Sequence, residues 1–115
     1  MTTFYNIETV KVDLEATQGD TILFSFNITL SDVAFDLTGY KVRMQVRRKD
    51  GILLKDWRSD VSPADITITA DLLEFNTDGF TDYGIYNYDI QATSMAGKVI
   101  TLMTGEFVVK KQFTS

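Results

Sequence analysis

The sequence predicts an all-β domain, an antiparallel sandwich of about seven to nine strands. Three observations carry that prediction. Apolar residues recur at spacing two along most of the 115 residues, the period of a strand with one buried face. Turn signals fall every 8 to 12 residues or so, the spacing of a sandwich or barrel. No stretch shows the helical period over three turns. The length leaves room for one domain. Its 44% hydrophobic content, rich in sheet-favouring side chains with eight Phe and five Tyr, is enough for one core.

The first alternation places Val10, Val12 and Leu14 on one face and Lys11, Asp13 and Glu15 on the other. Gln18-Gly19-Asp20 reads as a turn. Ile22, Phe24, Phe26, Ile28 and Leu30 then form the longest run of apolar residues at spacing two. Its middle members, Phe24 and Phe26, are expected in the core. Asp36-Leu37-Thr38-Gly39-Tyr40 turns the chain, and Tyr40, Val42, Met44 and Val46 resume the alternation. Lys49-Asp50-Gly51 is a hairpin signal, because Gly beside Asp supplies the positive φ of a tight turn. Residues 52–57 return as the partner strand.

Residues 59–64 hold the only proline and read as a loop. Ile66, Ile68 and Ala70 alternate with Thr67 and Thr69, and a short apolar piece follows at residues 72–75. Residues 76–84 are polar and form a surface connection, with room for one helical turn at 78–83. Tyr86, Tyr88, Ile90 and Ala92 mark the next inward face. Met95-Ala96-Gly97-Lys98 turns the chain once more. The last strand or strand pair covers residues 99–110, with Gly105 a bulge or a crossing point.

Composition excludes several chemistries. With no Cys and no His, the chain has no disulfide, no thiol nucleophile and none of the commonest transition-metal ligand. Ser-His-Asp and Cys-His arrangements are impossible. A net charge of −5 and a pI near 4.5 disfavour nucleic acid and anionic membranes as partners. The start of the chain lacks the basic and apolar regions of a secretion signal. No run approaches the roughly 18 apolar residues of a membrane span.

The remaining candidates read more simply as structure. Lys41, Arg43 and Arg47, with Arg48 and Lys49, make the densest basic run, and strand alternation accounts for it as a solvated face. Asp60, Asp65, Asp78 and Asp82 are loop carboxylates without the dense pattern of a calcium loop. Asp13, Glu15 and Asp89 show no cleft-forming context for acid–base work. The expectation is therefore no catalytic residue, no metal, no cofactor and no enzymatic activity. Tyr86 and Tyr88 sit on an apolar phase and are expected in the core. Trp57 falls out of phase with Ile52 and Leu54, so it is expected as an exposed contact.

Asp82-Tyr83-Gly84-Ile85-Tyr86-Asn87-Tyr88 resembles the Asp-x-Gly-x-Tyr-x-Cys stretch of immunoglobulin domains, with Tyr88 in place of the Cys. The resemblance implies that Tyr86 makes a tyrosine corner, its hydroxyl bonding back to upstream backbone. The predicted fold is accordingly an immunoglobulin-like antiparallel β-sandwich. A wider resemblance runs from about residue 18 to residue 111. Gly19-Asp20-Thr21, Asp36 to Tyr40, Val42 to Arg47, Tyr86 to Ile90, Gly97-Lys98-Val99 and Leu102 to Val109 follow in order. This set is similar to the small immunoglobulin-like modules of tailed bacteriophages and prophages, such as the N-terminal domains of upper baseplate proteins and related tail components.

The resemblance implies a virion structural protein, assembled in the host cytoplasm. Its partners would be other virion proteins, with a homo-oligomer or ring in the particle, and neither nucleic acid, membrane nor a small-molecule ligand. Within the chain, residues 1–8 form an N-terminal arm or short strand, 9–111 the sandwich and 112–115 a tail. Phe4, Tyr5 and Ile7 in the arm, with Trp57, are the candidate partner contacts. The alternative function is a carbohydrate- or ligand-binding sandwich, with Trp57 and Tyr83 stacking on sugar rings.

Overall fold

The computed structural model describes residues 10–30 and 33–112. Eleven strands and no helix occur among them. They are β1 (Val10–Lys11), β2 (Leu14–Thr17), β3 (Ile22–Asn27), β4 (Thr29–Leu30), β5 (Val33–Ala34), β6 (Lys41–Arg47), β7 (Leu53–Arg58), β8 (Ile66–Thr69), β9 (Leu72–Thr77), β10 (Gly84–Thr93) and β11 (Val99–Lys110). The count exceeds the expected seven to nine because β1, β4 and β5 are two-residue pieces. The larger sheet has the order β1-β11-β10-β6-β7, with β2 continuing the line of β1 along β11. The smaller has the order β3-β9-β8, and β4 and β5 form a separate hairpin. The two sheets pack as an immunoglobulin-like β-sandwich. Pairing is antiparallel throughout, except that β1 and β2 run parallel to β11.

The sequence turns appear where the alternation breaks. The N–H of Asp20 donates to the carbonyl of Thr17 at 3.1 Å, that of Gly51 to Arg48 at 2.9 Å and that of Gly97 to Ser94 at 2.9 Å. At the turn after β5, the Asp36 carboxylate accepts from both the N–H and the hydroxyl of Thr38, a local bond that replaces backbone pairing. Leu37 beside it is fully buried.

Among the described residues every buried one is apolar or aromatic. Phe107 on β11 is the hub of an aromatic cluster. Its ring centroid lies 5.0 Å from Phe80, 5.8 Å from Phe24, 6.3 Å from Tyr88 and 6.5 Å from Trp57. Aromatic pairs at such tilted geometry contribute about 0.5–1.5 kcal/mol each beyond area burial. Tyr86 and Tyr88 are buried as expected.

Three expectations are corrected. Trp57 is 4% exposed and belongs to the core. The cause is a bulge: Val46 pairs with Lys55 and Arg47 with Leu53, so Leu54 has no opposite residue. One extra residue reverses the period-two phase. Beyond it Trp57 faces inward opposite Met44, and Lys55 lays its ammonium over the Phe80 ring, 5.5 Å from the centroid. Second, residues 78–83 form no helical turn. The segment is pinned to the β2–β3 turn by the Gly19 N–H donating to the Phe80 carbonyl and the Gln18 amide to that of Thr81. It thereby lowers Phe80 into the core. Third, Phe24 and Phe26 are only half-buried and pack against the edge of the core.

Gly105 is a crossing point and not a bulge. The bulge of β11 falls at Leu102, between the pairs Ile90–Met103 and Gln91–Thr101. Gly105 pairs regularly with Tyr88, and a Cβ on it would stand 2.0 Å from the carbonyl oxygen of Val12. Only a residue without a side chain lets the β1–β2 line pass that close.

Candidate functional site

A sandwich has two seams where its sheets meet, and the two differ here. The seam between β7 and β8 is closed by Asp65. Its N–H donates to the Arg58 carbonyl at 3.1 Å, and its carboxylate accepts from the Arg58 N–H at 3.3 Å and the Thr77 hydroxyl at 3.4 Å. The Asn76 N–H donates to its carbonyl at 3.1 Å. One residue thus ties the end of β7 to β9 across the corner.

Across the seam between β1 and β3 there is no strand pairing among the described residues. Among the described residues β3 pairs only with β9, and β1 only with β11. Between these edges lies a groove of about 420 Å³, within the roughly 300–1,000 Å³ range of sites that hold a ligand. Its floor and walls are Val10, Val12, Phe26, Ile28, Leu102 and Met103, and its rim is Ser25, Asn27 and Thr29. Among the described residues no charged side chain lines it. Phe26 in β3 and Ile28 just beyond it occupy the inward phase and are half-buried. An inward-facing Phe at partial exposure retains apolar area for a partner to cover, at about 25 cal/mol per Å².

The groove wall on the β1 side is held by its pairing with β11 and by a side-chain bond. The Tyr88 hydroxyl donates to the Val12 carbonyl. Burial, and secondarily the Asp13 carboxylate, push that hydroxyl up to about 12. The Val12 N–H donates to the Thr104 carbonyl at 2.9 Å. The Asp13 carboxylate then accepts from the Glu106 N–H at 3.0 Å, standing in for a backbone carbonyl where the ladder between β1 and β2 lapses.

The outer face of the larger sheet carries the charges. Arg43 grips Asp56 with two bonds of 2.7 Å, and Arg58 adds a third at 3.2 Å. The Arg43 guanidinium, opposed by partial burial, holds the Asp56 carboxyl below its ordinary value. Asp89 on β10 is shifted the other way, raised by burial against the pull of Arg47 and Arg43. Arg48 pairs with Asp50 at 2.8 Å, and Lys49 donates to both Asn87 and Glu106. Arg47 donates to the Gly51 carbonyl and the Gln45 amide, each at 3.2 Å. The basic run is thus largely engaged within the face, in keeping with a solvated strand surface. A second depression of about 410 Å³ lies over Lys11, Asp13, Asn87 and Glu106, where Asp13 accepts from the Glu106 N–H and the Asn87 and Glu106 side chains both accept from Lys49. Among the described residues no group of three acidic side chains is placed to hold a metal ion.

Of the predicted contacts, Phe4, Tyr5 and Ile7 lie outside the described residues, and Trp57 is core. Tyr83 is exposed, with the Lys111 ammonium 5.7 Å from its ring centroid. Tyr86 does form the corner: its hydroxyl donates to the Asp82 carbonyl at 3.0 Å, and its ring stacks on Phe80 at 5.7 Å. Sequence reasoning missed the groove, since alternation along one strand does not say which edge goes unpaired. The available signal was the five-residue apolar run itself.

The sequence matches no protein-family model and no curated protein. Among solved structures, it is similar to CopC from Methylosinus trichosporium OB3b, at 10% identity and a TM-score of 0.52, covering 89% of this chain and 88% of that one. That likeness shows the fold alone. A second similarity is to extracellular domains 3–5 of Drosophila OTK, at 21% identity and a TM-score of 0.36. It covers 89% of this chain, which spans 33% of that structure.

Proposed function

We propose that this chain is a non-enzymatic structural protein of a tailed-phage or prophage particle, acting through protein–protein contacts. The observation that carries the assembly role is the uncovered seam. A groove that is apolar and uncharged among the described residues, flanked by strand edges with no partner among them, can accept another polypeptide through backbone bonds and side-chain burial. The ordered resemblance from Gly19 to Val109 supports the phage setting. The rival sugar-stacking surface loses Trp57 to the core and retains Tyr83.

Immunogold labelling of purified particles, from a strain carrying the gene, tests the reading. Label at one fixed position of the particle is expected. Particles that form normally and contain none of this protein would refute the virion assignment.

A further inference from the structure

We propose that the two outer faces of the sandwich bind one another between copies, the larger sheet of one chain stacking on the smaller sheet of the next. The inference goes beyond the assembly reading above, because it uses surfaces other than the groove and does not depend on the phage setting.

Charge is divided between the two halves of the fold. All eleven Lys and Arg side chains lie on the strands of the larger sheet, in its hairpin turns or directly after β11. None occurs in residues 12–40 or 59–97. Every one is within the described residues, so no other part of the chain supplies a further cationic side chain. The carboxylates on that half are Asp13, Glu15, Asp50, Asp56, Asp89 and Glu106. Eleven cations against these six leave a surplus of five positive charges. The β3-β9-β8 sheet, the β4–β5 hairpin and the loops joining them to the larger sheet carry eight described carboxylates and no cation. All five ion pairs among the described residues are internal to the cationic half. They leave Lys41 and Arg47 outside them, and none reaches the eight carboxylates.

The two surpluses stand on faces of similar length. Lys41, Arg43 and Arg47 share the outward phase of β6 and span about 20 Å at 3.3 Å per residue. Glu74 is exposed in β9, the central strand of the smaller sheet. Asp71 and Asp78 flank that strand, about 23 Å apart along it. Each face also exposes a leucine. Leu23 is 67% exposed beside Asn76 on the acidic face, and Leu53 is 41% exposed beside Arg47 on the basic one. Opposite charge fixes the orientation of such a contact, and covering the leucines adds apolar burial.

The occupant is a second copy because the chain itself carries the complementary surface. Two-fold pairing through either face sets like surpluses against each other, which is repulsive. The unlike contact is heterologous, and it closes as a ring or runs on as a filament according to the angle between copies.

Sedimentation velocity of the full chain tests the stacking at about 10 mM and about 1 M salt, where the screening length falls from about 30 Å to about 3 Å. Association is expected at low salt, with affinity about tenfold or more weaker at high salt. Arg47→Glu and Glu74→Lys, both at exposed positions, should each abolish self-association. Mixed one to one, they should associate again, since each retains the face that the other has lost. Lys41→Glu and Asp78→Lys repeat the test at second positions on the two faces, and only variants with the parent's circular dichroism are compared. A parent that stays monomeric at low salt up to about 1 mM would overturn the proposal, as would association indifferent to salt. So would one variant that alone assembles as well as the parent, the mark of a two-fold contact through the face it leaves intact. Any of these failures with correct particle labelling would remove only the stacking and leave the virion reading standing.

Discussion

The Tyr88 hydroxyl reaches across 76 positions of sequence to the main-chain carbonyl of Val12, and so fastens β1 to the body of the sandwich. Tyr88 occupies the place of the immunoglobulin cysteine. Its hydrogen bond holds the first strand to the sheet, where the disulfide would have tied one sheet to the other. Tyr88→Phe should cost about 1–2 kcal/mol, the worth of one lost bond and a stranded carbonyl. Hydrogen exchange should speed up at Val12 more than in β6. Because the folded hydroxyl is pushed up to about 12 from 10, its contribution is complete below pH 10 and is lost as the pH rises toward 12. Urea midpoints of the parent should fall across that window, and those of Tyr88→Phe should fall less. Parallel curves for the two would contradict the assignment.

Gly105→Ala should be more damaging than its single methyl suggests. The added Cβ would meet the Val12 carbonyl oxygen at 2.0 Å, a backbone atom that cannot swing aside. Overpacking of this kind costs about 1–3 kcal/mol. The expected signature is a lowered melting temperature with faster exchange confined to residues 10–17. A variant as stable as the parent would show that the β1–β2 line stands further from β11 than described.

Trp57→Ala should cost about 3–5 kcal/mol, as for other large buried aromatics. The Trp57 ring meets Phe80 and Phe107 edge-on at 5.9 and 6.5 Å. Tryptophan emission of the parent should be blue-shifted and poorly quenched by iodide. Ready quenching in the native state would place Trp57 outside and restore it as a contact residue.

Tyr86→Phe should lower stability by about 1–2 kcal/mol through loss of the bond to the Asp82 carbonyl. The stacking on Phe80 is retained in the variant, so Trp57 emission should change little. An unmoved urea midpoint would mean that water serves the Asp82 carbonyl equally well.

Most strands were legible in the sequence, because one buried face imposes spacing two on Val42, Met44 and Val46 or on Tyr86, Tyr88 and Ile90. The turns were legible where Gly51 and Gly97 stand. What eluded sequence reading was set by pairing. The phase of Trp57 depends on a bulge created by Leu54 against β6. The burial of Phe80 depends on a polar loop being tied to the Gln18–Asp20 turn. The half-burial of Phe26 goes with the edge of β3 that has no strand partner among the described residues. Each is a property of two segments together, and no window along one segment contains it.

The parallel course of β2 and β11 has a mechanical consequence. Leu14 to Thr17 lie beside Phe107 to Lys110 and run in the same direction. Tension drawn between a segment preceding β1 and one following β11 therefore acts along this ladder as shear. Its bonds share the load and must fail together, whereas a hairpin pulled at its open end parts one bond at a time. The Glu15–Lys110 ion pair spans the same junction, and the Gln18 N–H bonded to the Lys110 carbonyl extends it. A sandwich threaded in this way transmits force through its first and last strands and leaves the smaller sheet unloaded.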